Sequence, residues 1–352
     1  MNFFVISDDF TGANGVASMM SNYCKAETLN IKDLFFDPRR LDSFQCIALN
    51  TNTRNSTPQQ AKSIISAISK QINDLGGIFA KRIDSTLRGN IEAELLALGR
   101  DKKFLITDTI PEYNRFTKNG NTFSPHKILN IAGIFNELRG NHYSITQINK
   151  FEKNLDFFVL DSATYDDLEQ LSHIALDNNL IPVDPGPLCS IYGKNLLNLP
   201  KNQKKEVKPV DRVIYIIGTI EPITLAQIEY SKNHGFTVFT LENYYQVDKI
   251  NNNIILFDYL KESTKIDEKF IKYLSNYDAL VISGGDTANL IFNRANGIFV
   301  ENMPDILPLI GIGKIGGGAL NNKIIVSKGG KIGTQDIFIK INSFLLNGEQ
   351  VW

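Results

Sequence analysis

The sequence predicts an α/β protein of two domains, each a mostly parallel sheet flanked by helices. Three observations carry that reading. Short apolar runs recur along the whole chain, polar or glycine-rich turns follow them, and helix-like segments follow the turns. The stretch Leu199-Pro-Lys-Asn-Gln-Lys-Lys-Glu-Val-Lys-Pro-Val210 is polar, basic, bracketed by prolines and without apolar period. It reads as a linker, which divides the chain into a domain over 1–198, a connector over 199–211 and a domain over 212–352. In a chain of 352 residues each part can bury a sizeable core.

Taken in order, Phe3-Phe-Val-Ile6 is an apolar strand that delivers Ser7-Asp8-Asp9-Phe10-Thr11-Gly12 to the start of a helix over 13–20. Two carboxylates at the end of a buried strand are costly unless paired or used. Asp9 suits the acceptance of a proton from a hydroxyl, and Asp8 suits orienting the loop or helping to hold a metal. The alternative is that both cap the helix and touch water. A second strand over 46–50 ends in Asn50-Thr-Asn-Thr-Arg54 and leads to a helix over 59–75. The strand over 78–83 delivers Asp84-Ser85-Thr86-Leu87-Arg88-Gly89-Asn90 to one turn. Lys81 and Arg82 alternate across that strand, so at most one of them faces the turn. Arg88 offers a planar fork for a carboxylate or phosphate, the alternative being a solvated surface arginine. Further strands are expected over 104–107 and 157–160, and Ile181-Pro-Val-Asp-Pro-Gly-Pro187 ends another in a rigid turn, with a loop around Gly120 and a helix over 167–177.

The second part starts afresh with a strand over 213–217, the turn Gly218-Thr219 and a helix from Thr224. A strand over 236–241 and a helix over 268–274 follow. The apolar run 279–282 then hands over to Ser283-Gly284-Gly285-Asp286-Thr287-Ala288 and a helix. Adjacent glycines there let a ligand approach the backbone, and a helix start points free N–H groups at an anion; the alternative is a tight strand-to-helix turn with Asp286 or Thr287 capping the helix. Finally a strand over 323–326 enters Ser327-Lys328-Gly329-Gly330-Lys331-Ile332-Gly333, before a C-terminal helix beginning near Thr334. Three strands ending in glycine plus a hydroxyl or lysine suit a nucleotide.

Bulk properties narrow the partner. A net charge of −1 exerts no global pull toward nucleic acid or an anionic membrane, which leaves a small molecule as the expected partner. Cys24, Cys46 and Cys189 are scattered and lack metal spacing, so they read as reduced thiols. The N-terminus has no basic region before its apolar run, and no apolar run approaches the ~20 residues of a membrane helix, so the expected location is the cytoplasm. The run Gly311-x-Gly-x-x-Gly316, with Asp336 at a suitable remove, matches a dinucleotide fingerprint. It continues into glycine and a strand rather than a helix, which argues against an NAD site. No Gly-x4-Gly-Lys-Ser/Thr motif is present. His126, His142, His173 and His234 have no partnering pattern and read as structural or surface residues.

Five motifs together resemble the four-carbon acid sugar kinases, which phosphorylate D-threonate, D-erythronate, 3-oxo-tetronates and similar acids. They are Ser7-Asp-Asp-Phe-Thr-Gly-Ala-Asn14, Lys81-Arg-Ile-Asp-Ser-Thr-Leu-Arg-Gly-Asn90, Gly218-Thr219 with Thr224-x-x-Gln227, Ser283-Gly-Gly-Asp-Thr-Ala288, and Ser327-Lys-Gly-Gly-Lys-Ile-Gly333. They run in the family's order across nearly the whole chain. The resemblance implies an active site in a cleft between the domains. It implies that Asp9, Arg82, Asp84, Ser85 and Arg88 bind the sugar acid and that Thr219, Gly284, Gly285, Asp286, Thr287 and Gly330 hold ATP. Our reading adds Asp8, Thr11 and Thr86 on the substrate and Lys328 and Gly329 on ATP, with Asp9 as the base, Arg88 and Arg82 gripping the carboxylate, and Mg²⁺ at Asp286. A homodimer is compatible with it. The chain departs from the family at Thr219, where serine is usual, in Lys328-Gly-Gly-Lys-Ile-Gly333, where Lys-Ser-Gly-Gly-Phe-Gly is usual, and in Asn114-Arg-Phe-Thr-Lys-Asn-Gly120, which replaces a Gly-Arg-Thr-Thr stretch. It is also shorter than typical members. The expected activity is ATP-dependent phosphorylation of the terminal C4 hydroxyl of a four-carbon sugar acid. The alternative is a non-catalytic ATP- or sugar-acid-binding protein derived from such a kinase.

Overall fold

In a computed structural model, residues 2–31, 38–125, 127–147, 152, 154–200, 207–247 and 251–348 are described. The linker core 201–206 and His126 lie outside them. The first half contains strands β1 (Phe3–Ser7), β2 (Ala26–Asn30), β3 (Cys46–Asn50), β4 (Ile78–Arg82), β5 (Phe104–Ile106), β6 (Phe116–Lys118), β7 (Asn121–Ser124), β8 (Lys127–Asn130), β9 (Gly140–Tyr143), β10 (Phe157–Leu160) and β11 (Ile181–Asp184). Its helices are α1 (Phe10–Met20), α2 (Pro58–Asp74), α3 (Ile91–Leu98), α4 (Tyr165–Asp177) and α5 (Pro187–Leu196). The second half contains β12 (Val213–Ile217), β13 (Thr237–Phe239), β14 (Asn253–Leu256), β15 (Ala279–Ser283), β16 (Phe299–Met303), β17 (Gly311–Gly316) and β18 (Ile324–Lys328). Its helices are α6 (Pro222–Asn233), α7 (Tyr259–Glu262), α8 (Glu268–Leu274), α9 (Gly285–Arg294) and α10 (Ile337–Asn347).

The expected α/β class, with mostly parallel strands between helices, is what the structure has. The two parallel blocks are not separate sheets, however. They form one 15-stranded sheet in the order β13-β14-β12-β15-β18-β17-β16-β2-β3-β1-β4-β11-β5-β10-β9. The join is made by β16 and β17, which run antiparallel to their neighbours β2 and β18 and to each other. The run from Gly311 to Gly316 is therefore a strand, not a nucleotide turn. Its glycines let other chain come close: a Cβ at Gly311 would fall 2.5 Å from Asn14 of α1, and one at Gly316 would lie 2.1 Å from the Phe299 ring.

Both halves begin with the same strand pattern, β2-β3-β1-β4 and β13-β14-β12-β15. In each, the chain sets its second strand two places from the opening strand, returns to insert the third between them, and then crosses to the other side. The opening strand and its fourth partner thus flank a topological switch point, where an open α/β sheet leaves a crevice at the strands' carboxyl ends. Register sharpens this. Ser7 stands level with Asn50 and with Arg82, so the turns after β1, β3 and β4 leave the sheet side by side. Ser283 likewise stands level with Ile217 and Lys328, which aligns the turns after β12, β15 and β18.

Helix α1 ties the halves together. All its residues are buried. Phe10 enters the core of the second half and packs on Phe292 with ring centroids 4.8 Å apart. Asn14 Nδ2 donates to Ser327 Oγ at 2.8 Å, Asn302 Nδ2 donates to Asn14 Oδ1 at 2.7 Å, and Ser18 Oγ donates to Ile312 O at 2.9 Å. The stretch expected as a loop around Gly120 is instead a small antiparallel sheet of β6, β7 and β8. Asn119 and Gly120, both at positive φ, make its first hairpin turn.

Candidate active site

A cavity of about 300 Å³ opens between the two switch points and is lined by both halves. From the first half, Asp9, Thr11, Arg82, Asp84, Ser85, Thr86 and Arg88 reach it; from the second, Thr219, Gly284 to Thr287, Gly329 and Gly330 do. Two expected site residues are not brought there. Asp8 sits behind Asp9, where its carboxylate takes two hydrogen bonds from Arg54, at 2.8 and 2.9 Å. Lys328 is fully buried, its ammonium donating to Gly329 O at 3.2 Å and lying 5.2 Å from the Phe338 ring centroid; Lys331 lines the cavity instead. As the last residue of β18, Lys328 alternates away from the cavity, toward α10.

Asp9 does two things at once. It is the N-cap of α1, accepting from Gly12 N at 2.9 Å, and it is the meeting point of two guanidinium groups. Arg82 Nη1 donates to its Oδ1 at 2.7 Å and Arg54 Nη1 to its Oδ2 at 2.8 Å. Arg82 Nε also donates to Pro185 O at 3.2 Å. Gly12 makes room for this: a Cβ there would fall 2.1 Å from Arg82 Nη1. Burial alone would raise the Asp9 carboxyl, but Arg54 and Arg82 outweigh it and hold the group below its ordinary value of 3.8. Asp84 is likewise held well below that value, against burial, by Arg54, Arg88 and Arg82. The alternation at β4 resolves cleanly. Arg82 faces this cluster, while Lys81 points to the opposite face and pairs with buried Glu94 at 2.7 Å.

Arg54 is the residue that sequence reasoning missed. It bridges Asp8, Asp9 and Asp84, and nothing in its local pattern announces this. The available signal was indirect: three buried carboxylates need cations, and the turn after β3 is one of the places from which one could come. Arg115 was also not assigned. Held by Asp108, it donates to Ser85 O and so pins the 84–88 turn to the small sheet. Leu87 in that turn has φ of 56°, a costly conformation for a branched side chain. Arg88 donates from Nε to Asp84 at 2.8 Å, yet its side chain is 60% exposed, leaving part of the fork turned to the cavity.

On the facing wall, α9 starts at Gly284 without a side-chain cap, so its first N–H groups are open to an anion. Thr11 Oγ1 and Thr287 Oγ1 are buried and meet no hydrogen-bond partner among the described residues. The walls are close: a Cβ at Gly285 would lie 2.7 Å from Asp9 Oδ2, and one at Gly330 would lie 2.7 Å from Thr219 Oγ1. Among the described residues no cluster of three or more His, Cys, Asp or Glu side chains forms a metal site. Asp286, near Asn55 at 3.3 Å, is a single carboxylate. That donor set fits a polyphosphate accompanied by Mg²⁺, which takes one or two carboxylates and fills its shell with phosphate and water. Of the described histidines, His173 and His234 lie on exposed surface, paired with Glu169 at 3.8 Å and stacked on Tyr230 respectively.

The class is an α/β protein whose sheet carries two facing crevices, one acidic and guanidinium-rich and one glycine-rich. Comparison with known proteins agrees with this. Residues 3–137 match the family model described as a sugar-binding N-terminal domain. The chain is 23% identical to a D-erythronate kinase of Heliobacterium modesticaldum, in an alignment covering 98% of this chain and 97% of the relative. Two solved structures share the fold. One, from Salmonella typhimurium LT2 and provisionally described as a tRNA synthase, has a TM-score of 0.74 at 16% identity, over 96% of this chain and 98% of the other. The second, a Haemophilus influenzae protein of the DUF1537 family, has a TM-score of 0.66 at 17% identity over the same shares. The chain is thus similar to a sugar-binding N-terminal domain over residues 3–137 and, across nearly its whole length, to a D-erythronate kinase, and it shares its fold with the two solved structures.

Proposed function

We propose that the protein is an ATP-dependent kinase that phosphorylates the terminal C4 hydroxyl of a four-carbon sugar acid such as threonate, erythronate or a 3-oxo-tetronate. One observation carries this reading above the others. The Asp9 carboxylate, fixed by two arginines, faces the uncapped start of α9 across a gap that a single Cβ at Gly285 would close to 2.7 Å. An acceptor for a hydroxyl proton and an anion-binding helix start thus share one cleft, as phosphoryl transfer requires.

Arg88 grips the substrate carboxylate with the exposed part of its fork, while Ser85 and Thr86 face the chain hydroxyls. Arg82 belongs to Asp9 and orients it. The C4 oxygen forms its bond to the γ-phosphorus as the bond to the β–γ bridging oxygen breaks; the hydroxyl proton passes to Asp9 and ADP departs. Because the transition state is loose, a weakly basic carboxylate in the right place serves better than a strong base in the wrong one. The N–H groups of Gly285 and Asp286 and the Thr287 hydroxyl hold the phosphates in line. Asp286 would hold Mg²⁺, which supplies charge neutralisation of the phosphates. A coupled assay of ATP consumption across the tetronates tests the reading, and no consumption with any acid sinks it.

A further inference from the structure

The 329–333 loop carries a second layer of organisation behind the cavity wall. Gly329 O accepts from Lys328 Nζ at 3.2 Å and Gly330 O from Thr224 Oγ1 at 2.6 Å. Gln227 Nε2 donates to both Ile332 O, at 3.1 Å, and Gly333 O, at 3.0 Å. Thr224, Gln227 and Lys328 are all fully buried. Across a trans peptide, a carbonyl and the next N–H point in opposite directions. Gly329 O also accepts from Ile332 N at 3.1 Å, closing a turn within the loop, while α6 draws the Gly330 carbonyl inward; the N–H groups of Gly330 and Lys331 turn away from these carbonyls, and both residues line the cavity. No acceptor among the described residues meets either N–H. Successive N–H groups presented this way form an anion-binding concavity.

We infer that Thr224 and Gln227 are positioning residues of an oxyanion nest: by holding the loop's carbonyls inward from α6, they aim its amides at a polyphosphate. The inference rests on the proposed nucleotide site but concerns the residues behind it, which touch no ligand. Their spacing of three puts both side chains on one face of α6, so a single helix face fixes the loop along its length.

The test uses the full chain and magnesium tripolyphosphate, which carries the anion without the nucleoside. Calorimetry gives its affinity, and steady-state kinetics give KM for ATP and for the sugar acid separately. Thr224→Val keeps the shape and removes the donor; Gln227→Met does the same at the second position; Thr224→Ser restores the hydroxyl. The expected result is at least a tenfold loss of tripolyphosphate affinity and a similar rise in KM for ATP in Thr224→Val and Gln227→Met. The KM for the acid should stay within about twofold, and Thr224→Ser should stay near wild type. Unchanged tripolyphosphate affinity in Thr224→Val overturns the inference, as does an equal loss toward both substrates. If Gln227→Met fails to fold, the valine and serine pair decides. Should wild type bind tripolyphosphate, Thr224→Val weaken it and no acid support turnover, the nest stands and the kinase reading falls. A wild type that binds neither tripolyphosphate nor ATP overturns both.

Discussion

At the residue scale, the cleft holds a balanced set of six charges, five of them buried or half-buried and the sixth the exposed Arg88, in which Arg54 is central. Removing one partner of such a network leaves uncompensated charge and costs about 3–5 kcal/mol. Arg54→Met is therefore expected to lower stability by that order in denaturant titration. It should also lift the Asp9 carboxyl, since a lost opposite charge raises a carboxylate's pKa, and so move the acid limb of the pH–rate profile upward. Asp9→Asn tests the chemistry, although it too takes a countercharge from Arg54 and Arg82. Asparagine caps a helix about as well as aspartate, so α1 survives, while the loss of the proton acceptor should reduce kcat by about 10²–10⁴. Lys328 poses a different case. Burial pushes its ammonium from 10.5 down to about 7. Between those values the unfolded chain holds the proton and the folded chain does not, so stability from this group rises with pH across that window, at about 1.4 kcal/mol per pH unit, and the penalty is complete below it. The melting-temperature difference between Lys328→Met and wild type should accordingly favour the variant most near pH 7 and shrink toward pH 10.

At the scale of elements, the site depends on how closely α1 lies to its surroundings. Glycine in a helix interior is ordinarily a weakness, and replacing it with alanine ordinarily gains about 1 kcal/mol. Gly12 is an exception with a physical cause, because a Cβ there occupies the space of the Arg82 guanidinium. Gly12→Ala is expected to displace Arg82 from Asp9 and to lower kcat at least tenfold, even where α1 itself becomes no less stable by circular dichroism. Wild-type kcat in that variant would show that Arg82 does not orient Asp9. The second half works on the same principle at Gly330, where the loop must pass against Thr219. In both places the missing Cβ lets a side chain from another strand end lie against the backbone at the cleft.

At the scale of the whole molecule, the continuous sheet and the burial of α1 bear on the division at 199–211. Phe10 sits in the core of the second half, and Asn14 and Ser18 bond to strands there. A fragment of residues 1–198 would expose that face together with the β2 edge that β16 covers. It is expected to bind a hydrophobic dye and to melt without cooperativity, whereas the full chain melts in one transition. A fragment that melts cooperatively would instead establish residues 199–211 as a boundary between independently folding domains.

Much of the architecture was legible from local pattern. The strands over 46–50 and 157–160 and the helix over 268–274 fall where apolar runs and turn residues place them. Asn119-Gly120 was a readable hairpin signal passed over, and the glycines of β17 masked a strand because their use is set by what packs against them. The motif residues of the cleft were legible too, since each follows a strand end. Tertiary structure alone decided that Arg54 joins Asp8, Asp9 and Asp84, that Asp8 and Lys328 stand behind the walls, and that the two halves share a sheet. The reason is physical. A sequence carries the period that makes an element and the residues that end it, but which strand ends meet depends on register and crossing order. Which cation meets which carboxylate depends further on the reach and alternation of side chains once the strands are paired.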